Sequence, residues 1–188
     1  MDERQFVFSN FLHTNCIRFA IELSFRKLIR DLILTTTQSL RGQVTKAIIT
    51  LHKQNVLNDD LAKVFLMRPK YGTSLAESFI DIHKFELLDQ ILEKVQRPNG
   101  HKILDGLVIL CSHKLIQSEN VRAILKHPAQ AHYHAIGLGI LLETDLLSEN
   151  NRESLTNLAQ FGEELVYILS SAKQKLTQQI IDVIFKLP

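Results

Sequence analysis

Apolar residues recur at spacings of three and four in five stretches of the chain: 46–52 (KAIITLH), 77–88 (ESFIDIHKFELL), 103–111 (ILDGLVILC), 135–143 (AIGLGILLE) and 163–171 (EELVYILSS). That spacing is the signature of a helix with one buried face. A short polar stretch follows each one, and then a second, similar run: 56–69 (VLNDDLAKVFLMRP), 87–98 (LLDQILEKVQRP), 115–128 (LIQSENVRAILKHP), 146–159 (LLSENNRESLTNLA) and 175–188 (KLTQQIIDVIFKLP). The second residue of each run is apolar: Leu57, Leu88, Ile116, Leu147 and Leu176, at steps of 31, 28, 31 and 29. Four of the runs end on the chain's only prolines, Pro69, Pro98, Pro128 and Pro188, and Ala159 fills the remaining slot. A periodicity of this length marks a tandem repeat in which each unit is one supersecondary element. Each unit reads as two helices, the second ended by the constraint that proline places on the residue before it.

Start signals lie where the second helices should begin. Ser118, Ser148 and Thr177 can accept a bond from an amide two or three residues ahead, and Asp59 and Asp89 can do so while facing the positive helix end. A helix of about 11 residues is marginal alone, so each must be covered by its partner and by the next unit. The predicted fold is all-α: tandem two-helix repeats of 28–31 residues over 44–188, forming a short superhelical solenoid within a single structural domain, with boundaries near 69, 98, 128 and 159. Residues 1–43 depart from the register and hold five of the ten phenylalanines. They are read as an atypical helical cap, with 35–42 (TTTQSLRG) as the turn before the first regular unit. The chain stops on a repeat's terminal position, Pro188. Two readings stay open there: a last unit that packs against something within this chain, or a natural polypeptide that continues, truncated here at its C-terminus. An exposed stripe beyond residue 175 would fit either truncation or a homo-oligomer through the C-terminal repeat.

Composition narrows the function. An apolar fraction of 45% excludes a disordered chain, and 22 Lys and Arg against 20 Asp and Glu leave a net charge of only +2. Basic residues Arg26, Lys27, Arg30 and Arg41 gather near one end and Lys173 and Lys175 near the other, without the per-repeat periodicity of a nucleic-acid reader, so nucleic acid is not the expected partner. No apolar run approaches 18 residues, which predicts no transmembrane segment, and no secretory signal peptide opens the chain. Cys16 and Cys111 form no paired motif, which points to a reducing, cytoplasmic-type environment.

Chemistry-bearing residues are few. His52, His83 and Cys111 each stand five positions before an anchor, but equivalent positions in stacked helices lie about 10 Å apart, whereas zinc needs every ligand within about 2.0–2.3 Å of one ion. A shared ladder position, continued by Leu142 and Ser171, accounts for them. His127, His132 and His134 bracket the turn after Pro128, where the alternative to a structural role is a metal or pH-sensitive cluster. Cys111 is embedded in LVILCSH and reads as an inert thiol. Paired acidic residues at Asp59/Asp60, Glu149/Glu153 and Glu163/Glu164 sit beside helix starts, and the glycines of GLG (137–139) suit close helix packing. No catalytic, cofactor-binding or metal residue is assigned and no cofactor is expected. A small helical enzyme using Cys16 with His13 is the remaining catalytic alternative. The favoured reading is a protein-interaction or scaffold module, with Asn58, Gln117, Glu119, Glu149, Asn150 and Gln178 exposed near the turns.

Residues 118–159 carry a resemblance. Ser118, Glu119, Asn120, Val121, Arg122, His127 and Pro128 in one copy, and Leu146, Leu147, Ser148, Glu149, Asn150 and Arg152 in the next, resemble the short degenerate helical repeats of effector proteins secreted by intracellular bacteria of the Legionella type. Asn58-Asp59-Asp60 and Asp89-Gln90 lack the E-N-R core, so the likeness is specific over about 40 residues. It implies an effector translocated into the host-cell cytoplasm that binds a host or bacterial protein, in some members as the regulatory or substrate-recruiting part of a larger enzyme.

Overall fold

The computed structural model describes residues 36–186 together with Arg30 and Leu34. The predicted N-terminal cap lies outside them, apart from its last residues, as do Cys16 and His13. The described residues form ten α-helices: α1 (Gln38–Lys53), α2 (Asp59–Met67), α3 (Gly72–Lys84), α4 (Leu88–Val95), α5 (Gly100–Ser112), α6 (Ser118–Lys126), α7 (Ala131–Glu143), α8 (Glu149–Asn157), α9 (Gly162–Ala172) and α10 (Gln178–Ile184). Among the described residues the fold is all-α, and α5, α7 and α9 pack in succession, consistent with a helical-repeat arrangement. The chain divides into two compact units, Met1–Ala76 and Glu77–Pro188.

In the first unit Val44, Ala47, Leu51, Leu61, Phe65 and Leu75 are buried. Gly72 opens α3 against the backbone of Gln43, where a Cβ would stand 3.2 Å from the carbonyl oxygen. The expected turn at 35–42 is helical from Gln38 onward. Arg41 donates from Nε to the Thr36 carbonyl, tying the start of α1 to the chain two residues ahead of it. In the second unit α7 packs between α5 and α9, and Gly106 of α5 permits the approach: a Cβ there would lie 2.9 Å from the Ala131 carbonyl. Phe79, Ile82, Ile91, Leu104, Leu107, Leu138 and Leu169 fill this core.

The repeat is written most clearly in the helix ends. Asn55, Glu86, Lys114 and Asp145 adopt left-handed backbone conformations, with φ of 56°, 59°, 57° and 57°. Their spacings, 31, 28 and 31, are those of the apolar anchors two residues further on. In each case the next residue bonds back five positions: Val56 N to Leu51 O, Leu87 N to Ile82 O, Leu115 N to Leu110 O and Leu146 N to Leu141 O, at 2.8–3.3 Å. This is the Schellman closure, with its apolar contact supplied by the residue after the left-handed one. It also ends α3 at Lys84, four residues before the end of the helical pattern at 77–88. Glycine is the usual occupant of that position, because a Cβ there costs about 1–2 kcal/mol. Glu86→Gly and Lys114→Gly are therefore expected to raise stability by about 0.5–1 kcal/mol each, read as a higher urea midpoint at unchanged m.

The short step of 28 has a local cause. Asn58, Gln117, Ser148 and Thr177 precede their helices in extended conformation, whereas Leu87, with ψ of −2°, both closes the cap of α3 and leads directly into α4. Capping follows suit: the side chains of Asn58, Ser148 and Thr177 accept from Leu61, Asn151 and Ile180 amides. The cap of α2 is thus Asn58, with Asp59 in the first turn, and Ser118 is already inside α6. Pro69, Pro128 and Ala159 each begin a three-residue 3-10 turn, so Ala159 occupies the proline slot in conformation as well as in number.

Candidate functional site

Residues at successive turns of one helix face lie in line, and α6 and α8 each present such a row. On α6 it is Glu119, Arg122 and Lys126, and on α8 it is Glu149, Arg152, Glu153 and Thr156. The two rows border a groove of about 280 Å³, with the small Ala123 in its lining. Both helices are second helices of their units, so the groove joins two consecutive repeats.

Its electrostatics are mixed, with three acidic and three basic side chains. Arg152 holds Glu149 at 2.8 Å through Nη1. The pair is unequal, since Arg152 is only 18% exposed while Glu149 is 77% exposed. The Nε of Arg152 is buried and bonded to nothing among the described residues. Glu149, the partner of this guanidinium, sits largely in solvent, where an ion pair is worth little and exchanges readily. Glu119 is held below the usual carboxylate range by its own backbone amide and the Ser118 hydroxyl, with Arg152 and Arg122 assisting. Such a strip offers fork-shaped donors and carboxylate acceptors to a partner's backbone and side chains. No histidine or cysteine lines it.

The register of this region follows buried side chains. Asn120 donates from Nδ2 to the Leu115 carbonyl at 2.9 Å, and Asn151 donates to the Leu146 carbonyl at 2.8 Å. Both are buried. The structural equivalent of Asn120 is therefore Asn151, 31 positions on, while Asn150 is exposed. Asn151 continues into the next unit, exchanging bonds with Gln178 at 2.9 and 3.1 Å. Two further links join successive units: Lys94 donates to the Leu125 carbonyl at 3.0 Å, and Glu143 pairs with Lys173 and stands 3.7 Å from His113.

Of the residues expected near the turns, Glu119 and Glu149 border the groove, Asn58 is used as a cap and Gln178 as a cross-repeat bond. His52, His83 and Cys111 fall at the ends of successive first helices, and Cys111 lies 3.8 Å from Glu77. Burial first, then Glu77 and Asp81, push its thiol up, against an opposing bond from Ser78, so it is held in the less nucleophilic form. Among the described residues no group of three or more His, Cys, Asp or Glu side chains is placed to hold a metal, and no helix is long and apolar enough to cross a membrane. The chain matches no family, no curated protein and no solved structure. Arg122, Lys126, Arg152 and Glu153 were missed as groove residues in the sequence. Their signal there was only the spacing of charges within two runs 31 residues apart.

Proposed function

We propose that the chain is a protein-interaction or scaffold module, a short solenoid of two-helix repeats that holds a partner polypeptide along the α6–α8 groove. The observation that carries this reading is the groove's composition: six charged side chains from two consecutive repeats, with the largely buried Arg152 among them. The cap-to-cap regularity supports the solenoid, because identical joints at 31, 28 and 31 residues place like helices at like positions. The likeness of residues 118–159 to secreted-effector repeats supports a role as a translocated bacterial effector in the host cytoplasm. As part of a longer polypeptide, the same surface would recruit substrates to a catalytic domain.

The test is site-directed. A photo-crosslinking residue at exposed Asn157 should capture a defined partner, and Arg122→Glu with Lys126→Glu should weaken its binding at least about tenfold with unchanged thermal unfolding. Equal affinity in the charge-reversed protein would overturn the groove assignment.

A further inference from the structure

The groove leaves unused the densest set of unsatisfied polar atoms in the described chain. Six buried side-chain nitrogen and oxygen atoms there have no hydrogen-bond partner, and four of them fall within residues 130–134: Gln130 Oε1, His132 Nδ1 and both ring nitrogens of His134. His134 is 2% exposed and stands in the second turn of α7, the helix packed between α5 and α9. A neutral imidazole tolerates such a place at the cost of its lost bonds, but an imidazolium there would be a buried charge with nothing to receive its two N–H groups.

The surroundings oppose a second positive charge. His132 and His134 lie near the N-terminus of α7, where the helix dipole is positive. Among the described residues, His127, before the 3-10 turn, is the one charge-bearing group acting on the His134 ring. Around His132, α5 presents His101 and Lys102 against Asp105, and α9 presents Glu163. The charged residues of α6 and α8 that line the groove do not act on His134.

We infer that His134 is an acid-sensitive element: its protonation is incompatible with the packed position of α7, so mild acid weakens the helix packing of the Glu77–Pro188 unit. Burial, and then His127, lower its pKa in the folded protein from 6.5 to about 4. The sign follows from linkage. The unfolded chain takes up the proton first, so stability is complete above about pH 6.5 and is lost progressively as pH falls toward 4. Those two values make the unfolding equilibrium constant rise roughly 20-fold between pH 7 and pH 5 from this group alone.

Urea unfolding of the full chain at pH 7, 6 and 5 tests this, comparing the native protein with His134→Leu and His134→Gln. The native protein should lose the stated factor and the variants should not. Equal acid sensitivity in either folded variant would overturn the inference. If neither variant folds, imidazole NMR on the native protein decides. A His134 ring that stays neutral to pH 5 and gains its proton only as α7 amides lose protection supports the inference. A ring that titrates near pH 6.5 in the intact fold refutes it.

Discussion

Replacing Gly100 by alanine is expected to destabilise the protein by about 3 kcal/mol or more, enough to lower Tm by about 10 °C in a chain of this size. The methyl group would stand 1.8 Å from the Val95 carbonyl oxygen and 2.5 Å from its carbon. Both obstacles are backbone, and no rotamer relieves them. The chain between α4 and α5 is drawn tight by Asn99, whose φ is 69°, and by the bond from the Gly100 amide to the Arg97 carbonyl. Relief would require moving the end of α4 away from the start of α5, at the expense of Ile91, Val95 and Ile103, all buried. The same substitution at Gly42 should act in the opposite sense. Gly42 lies within α1 and its added Cβ meets nothing within 4 Å, so alanine there should stabilise by up to about 1 kcal/mol through helix propensity. Paired thermal melts distinguish the sites, and a neutral Gly100→Ala would show that the α4–α5 turn is looser than described.

Phe79→Ala should cost about 3–5 kcal/mol, the range for removing a fully buried aromatic side chain. Phe79 is 0% exposed on α3, and its neighbour on the same face, Ile82, is buried as well. Tyr167→Ala on α9 is the control. At 74% exposed it should change stability by less than about 0.5 kcal/mol. Urea titrations of both variants would locate the buried face of the odd-numbered helices, and comparable losses at the two positions would contradict the burial pattern.

The two-helix units were legible in the sequence because apolar spacing and proline placement report the same boundaries independently. Ala159 shows that the slot is set by the surrounding register, since it enters a 3-10 turn where Pro69 and Pro128 do. The helix ends were less legible. A left-handed cap announces itself through glycine, and here the position is held by Asn55, Glu86, Lys114 and Asp145, two of which carry no turn preference. The start of α1 was obscured by Thr, Ser and Gly residues, whose weak helix propensity is outweighed by packing of Val44, Ala47 and Leu51. The pairing of Asn120 with Asn151 was hidden because Asn150 matches the motif equally well, and only burial separates them. The groove was the least legible feature, because charges along one helix say nothing about which other helix runs beside it.

The left-handed joints also bear on how such a chain changes length. The stretch from Leu115 to Asp145 begins just after one joint and ends on the next, and both joints make the same pair of backbone bonds. Duplicating that stretch in tandem would recreate at the new seam the Asp145–Leu115 neighbourhood already met at Asp145–Leu146, an acidic or basic residue followed by leucine. Growth or loss by whole units therefore disturbs no helix end. A deletion of any other size shifts the apolar anchors relative to the caps. The three-residue deficit between Glu86 and Lys114 shows where the scaffold absorbs such a change: in the loss of an extended linker and a shortened α4, with the joints on either side intact.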